Sequence, residues 1–234
     1  IEEHLLGQRG ALAEREQLQH RIFLARQVDA RGPGQVVQFV HAAQDVAGDF
    51  DYYILALSWQ PGWCRTTGDG RGADECGRGS GLDFTVHGLW PQYEQGWPDY
   101  CDTPERDPSR REAQAMTDLM DPGLALHQWR KHGRCSGLSA GDYYAALRQA
   151  AESITIPAPF DDLPRDITLP PAVVEDAFLE ANPGLSPDGV TVTCKTEALA
   201  EVRICLTRDL ESRDCAPDAR RDCSRPRVLM EKVR

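Results

Sequence analysis

At 234 residues the chain is long enough for one well-cored domain with additions or for two small ones, and 41% hydrophobic with 27% charged residues is an ordinary globular composition. The 37 acidic against 26 basic residues leave a net charge of −11, the wrong sign for a protein that coats nucleic acid, because such affinity comes from lysine and arginine displacing counterions. No apolar run approaches the eighteen or so residues of a membrane span, so no membrane partner is expected.

Residues 1–30 are rich in Glu, Gln, Arg, Leu and Ala and predict a charged helix, which Arg31-Gly32-Pro33-Gly34 breaks. A second helix is expected from Val36 to Val46, stopped by Gly48. Residues 1–48 thus read as an N-terminal helical extension that packs on the remainder, covers it or meets a partner. The chain starts at Ile1 with no cleavable leader, which fits a targeting segment already removed. Residues 49–234 are expected to form the main domain. Residues 50–59 are dense in β-formers and predict a buried core strand. Gln60-Pro61-Gly62 turns the chain, and the Gly- and Asp-rich stretch to Gly81 reads as a loop. A second strand around His87 should end at Pro91, since proline cannot donate to a ladder. Residues 94–121 are a long connection with one helix over 109–120. A helix around residue 129 follows, then one over 143–153 opened by Ser139-Ala140-Gly141-Asp142. Pro170-Pro171 opens a helix through Ala181, closed by Asn182-Pro183-Gly184. Residues 190–194 and 199–206 alternate as paired strands, and the tail from Arg220 predicts loose order. The fold class that results is α+β: an antiparallel sheet core with helices packed on one side.

Two stretches carry the chemistry. One is Phe84-Thr85-Val86-His87-Gly88-Leu89-Trp90-Pro91; the other is His127-Gln128-Trp129-Arg130-Lys131-His132-Gly133-Arg134-Cys135. On a helix, at roughly 100° per residue, His127, Lys131, Gln128 and His132 span an arc of about 140° while Trp129 points to the core. Two imidazoles and an ammonium on one arc repel one another when protonated, and a phosphate among them would relieve that. Zinc fits less well, because helical metal histidines lie four apart rather than five. A lone histidine on a strand is more often a satisfied core residue; beside Trp90 and a second histidine-rich segment, His87 becomes a candidate for catalysis. Imidazole titrates near neutrality, so one ring can start neutral and another protonated in the same site.

The two segments resemble the paired active-site segments of the ribonuclease T2 family, F-T-x-H-G-L-W-P and H-E-W-x-K-H-G-x-C, and the resemblance runs from the first strand to about Cys223. One position departs: Gln128 stands where the family has glutamate. The resemblance implies an endoribonuclease that cleaves single-stranded RNA through a 2′,3′-cyclic phosphate to 3′-phosphate ends, with no metal or other cofactor and no cleavage of DNA. It implies His87 as general acid, His132 as general base, His127 as a phosphate holder and Lys131 as the charge opposing the phosphoryl oxygens. Trp90 is expected to stack on a base, with Tyr93 and Gln92 as weaker neighbours. A neutral Gln128 is expected to leave His132 deprotonated to lower pH than a carboxylate would.

Eight cysteines with no two-residue gap point to structural disulfides in an oxidising compartment, hence a secreted or periplasmic protein. Residue spacing leaves the pairing open. The resemblance implies Cys64 with Cys76, Cys101 with Cys135, and a nested pair, Cys194 with Cys223 and Cys205 with Cys215. Two other functions fit the same features: an RNA- or partner-binding secreted protein without turnover, and a delivered toxin blocked by an inhibitor or immunity partner.

Overall fold

The computed structural model describes residues 45–234, so the helices expected over residues 1–44 lie outside the described residues. The expected end of the second helix lies inside and is not helical. Val46 forms a parallel bridge with Asp102, and the Gly48 N–H donates to the Cys135 carbonyl at 2.9 Å.

Six strands form one sheet: β1 (Tyr52–Trp59), β2 (Phe84–Gln92), β3 (Ile167–Leu169), β4 (Val190–Lys195), β5 (Ala198–Leu206) and β6 (Val228–Met230). Their order is β2-β1-β5-β6-β3, with β4 also paired to β5. All pairings are antiparallel except the short one between β5 and β6. The helices are α1 (Arg110–Gln114), α2 (Pro122–Lys131), α3 (Ala140–Glu152) and α4 (Pro171–Ala181). The α+β expectation is met, and no described helix is long and apolar enough to cross a membrane.

Alternation along the strands decides which face is the core. Tyr53, Leu55, Leu57 and Trp59 of β1 join Val202, Ile204 and Leu206 of β5 against Trp129 of α2, Tyr143 and Leu147 of α3, and Val174 and Phe178 of α4. Each fully buried aliphatic or aromatic side chain here contributes about 1.5 to 3 kcal/mol. The opposite face holds only a small cluster at one end, Tyr52, Ile54, Cys205, Cys215 and Ala216. Further along that face β1 carries the small Ala56 and Ser58, paired with Arg203 and Glu201 of β5. Low side chains on the central strand leave room between the taller ones on its neighbours.

All four expected disulfides form: Cys64–Cys76, Cys101–Cys135, Cys194–Cys223 and Cys205–Cys215. Several element boundaries differ from expectation. β2 does not stop at Pro91 but runs to Gln92, with Pro91 opposite Tyr53; β2 is an edge strand, where a missing N–H is tolerated. The loop expected after Trp59 instead begins as consecutive helical turns, Gln60–Trp63, Cys64–Gly68 and Asp69–Arg71. Pro61 is suited to a first turn, and Gly68 passes so close to Trp63 and the Cys76 sulfur that any Cβ there would clash. The helix expected over 109–120 shortens to α1, with a capping box between Ser109 and Glu112. α3 starts earlier, at Ala140, because Ser139 itself is the N-cap and accepts from the Asp142 N–H. The tail is irregular and mostly exposed over residues 220–227, as expected, but then forms β6, whose Val228 and Met230 are fully buried.

Candidate active site

β1 and β2 pair in register until Ala56 faces Gly88; the next pair is Leu57 with Val86. His87 therefore has no residue opposite it and is the extra residue of a β-bulge, the device that re-aims a side chain without breaking a ladder. Val86 stays in the core, while the His87 ring meets Trp90 and Glu201 on the other face.

The second histidine segment is held by α2. Asp121 caps that helix by accepting from the N–H groups of Gly123 and Leu124 at 2.8 and 3.1 Å, with Pro122 in the first turn. Trp129 is fully buried, and its indole N–H donates to Asp107 Oδ1 at 3.1 Å. Arg130 and Arg134 bond the same carboxylate; burial opposes its ionisation, yet these two guanidinium groups hold its pKa below the ordinary value. His132 is the C-cap, not the last helical residue; its N–H still bonds the Gln128 carbonyl at 2.9 Å. Gly133 follows because a Cβ there would strike the rings of Trp129 and Tyr143.

Trp90 is where the two segments meet. Its indole N–H donates to Gln128 Oε1 at 2.7 Å. The His132 ring stacks on it, with centroids 5.3 Å apart and planes 29° apart. The His87 ring meets it edge-on at 5.1 Å, and the Arg203 guanidinium lies over it at 5.2 Å. This approach is possible because residue 88 is glycine: a Cβ would collide with the Gln128 amide and the Trp90 indole nitrogen.

The two histidines have unlike surroundings. His132 is 7% exposed, and its Nδ1 has no hydrogen-bond partner among the described residues. Burial pushes its pKa well below the ordinary value, with Lys131, His127 and His87 adding to the effect, so the ring is held neutral. His87 is half-buried and places Nδ1 2.5 Å from Glu201 Oε1. Arg203 donates to the other oxygen, Oε2, from Nε at 2.9 Å and Nη2 at 2.7 Å. Burial raises the Glu201 pKa, but the His87 bond and the Arg203 charge outweigh it and keep the carboxyl below the usual range.

Of the residues singled out in the sequence, the structure gathers His87, Trp90, Gln128 and His132. Lys131 is half-buried and His127 exposed on the same helix end; both are near enough to depress His132. Gln92 and Tyr93 are engaged elsewhere. Gln92 is buried and donates to the Pro91 carbonyl at 2.8 Å. Tyr93 donates to Asp45 Oδ1 at 3.3 Å, and its hydroxyl is pushed up to about 12 by burial and by Asp45, Asp49 and Asp51. Such an acidic setting is unfavourable for a polyanion. Glu201 and Arg203 were not foreseen, although two charged residues at i and i+2 in an apolar strand must share a face. Among the described residues no three His, Cys, Asp or Glu side chains are grouped to hold a metal.

A family model described as Ribonuclease T2 family matches residues 50–215. A "Ribonuclease" of Aeromonas hydrophila is 32% identical over 202 residues, covering 82% of this chain and 90% of that protein. "Extracellular ribonuclease LE" of Solanum lycopersicum is 25% identical over 124 residues, covering 46% of this chain and 52% of that protein. Among solved structures, an RNase-related protein from Calystegia sepium superposes with a TM-score of 0.63 at 20% identity, covering 79% of this chain and 98% of its own; at that identity the likeness is one of fold.

Proposed function

The chain belongs to the ribonuclease T2 family and is a ribonuclease of that kind, and on that premise we propose that it cuts single-stranded RNA internally by transphosphorylation, with no cofactor taking part. The observation that supports this most is the meeting of two histidines around Trp90 in opposite settings, one with a carboxylate partner and one buried with no partner for its Nδ1 among the described residues. A neutral imidazole is a base, and an imidazole backed by a carboxylate is suited to carry a proton.

In the first step His132 takes the proton of the 2′ hydroxyl as O2′ bonds to the adjacent phosphorus. The P–O5′ bond breaks, and His87 gives its proton to O5′, leaving a 2′,3′-cyclic phosphate. Water then attacks with the roles reversed: His87 takes its proton, and His132 returns one to O2′, yielding a 3′-phosphate. Lys131 and His127 oppose the charge on the phosphoryl oxygens. The base lies beside Trp90; Gln92 and Tyr93 join it only by exchanging their present bonds. DNA has no 2′ hydroxyl and stays intact. Four disulfides and an extracellular relative support action outside the cytoplasm.

Purified protein incubated with RNA in EDTA should release fragments ending in cyclic and 3′-phosphates. Intact RNA would favour the binding-only alternative. His87→Ala and His132→Gln should each reduce cleavage by about 10² to 10⁴-fold; glutamine is chosen at 132 because that side chain is buried. Near-normal rates in either variant would remove that residue from the mechanism.

A further inference from the structure

We propose that Glu201, clamped by Arg203, is a positioning residue for His87: it fixes the ring with the proton on Nδ1 and so leaves Nε2 as the nitrogen that exchanges a proton with the substrate. The inference rests on the proposed role of His87 as acid. Glu201 Oε1 lies 2.5 Å from His87 Nδ1, and a carboxylate can only accept, so Nδ1 must be the donor. Arg203 bonds Oε2 through two nitrogens, which holds the carboxylate ionised and restrains its rotation. Both residues project from adjacent odd positions of β5 opposite Ser58 and Ala56, where short side chains on β1 let Glu201 reach across to the bulge on β2. His132 Nδ1 has no such partner among the described residues, so the device is seen at one of these two histidines.

Glu201→Gln tests this directly. Arg203 claims the amide oxygen, and the amide NH2 then faces Nδ1, a donor against a donor whenever His87 is protonated. The loss should depend on the leaving group. With a diribonucleoside monophosphate, whose 5′ oxygen must be protonated to leave, kcat should fall by about 10²-fold. With uridine 3′-(4-nitrophenyl phosphate), whose phenolate leaves without a proton, the fall should be within about threefold, and His87→Ala should show the same selectivity. An equal loss on both substrates for Glu201→Gln, beside a selective loss for His87→Ala, would overturn the proposal and leave the His87 reading standing. An equal loss for His87→Ala would overturn both, and the fault would lie with His87. A second measurement needs no variant: nitrogen-15 NMR of the wild-type protein, with His87 neutral, should show the Nδ1–H tautomer. The Nε2–H tautomer would overturn the proposal whatever the kinetics.

Discussion

Gln128 answers to two neighbours. Its side-chain oxygen accepts the Trp90 indole N–H, and its backbone carbonyl accepts the His132 N–H one turn later. Glutamate in its place would still accept from Trp90 but would add a negative charge near a buried ring whose pKa is now held well below the ordinary histidine value by burial, Lys131, His127 and His87. The sign follows. As the proposed base, His132 must be unprotonated, so with Gln128 the rate should persist as pH falls below the ordinary imidazole range near 6.5. A carboxylate favours the imidazolium, so Gln128→Glu should move the acidic limb of the kcat/KM profile to higher pH. Coincident limbs would confine Gln128 to holding Trp90. The histidines and Trp90 were legible because their neighbours in sequence form recognisable segments. Glu201 was not, because it lies 114 residues from His87 and only strand pairing brings them together.

At the scale of elements, a carboxylate outside α2 ties down its C-terminal end. Asp107 gathers the Trp129 indole, Arg130 and Arg134, which orients the helix end that carries His127, Lys131 and His132. Asp107→Ala would strand a fully buried indole N–H and release two guanidinium groups. It should cost about 2 to 3 kcal/mol and lower Tm by about 5 to 10 °C, with a fall in kcat larger than that of a surface control. An unchanged Tm would show that the helix is fixed by core packing alone. The elements that could be read from the sequence were those with local causes. α4 begins at Pro171 and ends at Ala181 as its prolines and Asn182 dictate, and β4 and β5 follow their alternation. β3 and β6 are three residues each, too short to show a period, and they exist because distant strands offer them partners. Pro91 misled for a related reason: whether proline is tolerated depends on which strand lies at the edge, a property of the sheet.

For the whole molecule, the family match begins at residue 50, yet the described structure engages the chain slightly earlier. Asp45 accepts from Tyr93 and from the Asp99 N–H, Val46 pairs with Asp102, and Gly48 bonds Cys135. A protein starting at Gln44 should therefore fold and retain cleavage, whereas one starting at Gly48 should also be active but measurably less stable. Equal melting temperatures would make these contacts incidental, and loss of activity in the first truncation would give residues 1–43 a part in the site. The bulge at residue 87 has a wider consequence. The ladder between β1 and β2 closes around His87 without using a partner for it, so the proposed proton donor occupies a place that the scaffold could spare. Neither the strand pairing nor any of the four disulfides depends on the side chain at that position. Two chains with the same strands and the same disulfides can therefore differ in turnover through this one side chain, and shape alone does not report whether the donor is present.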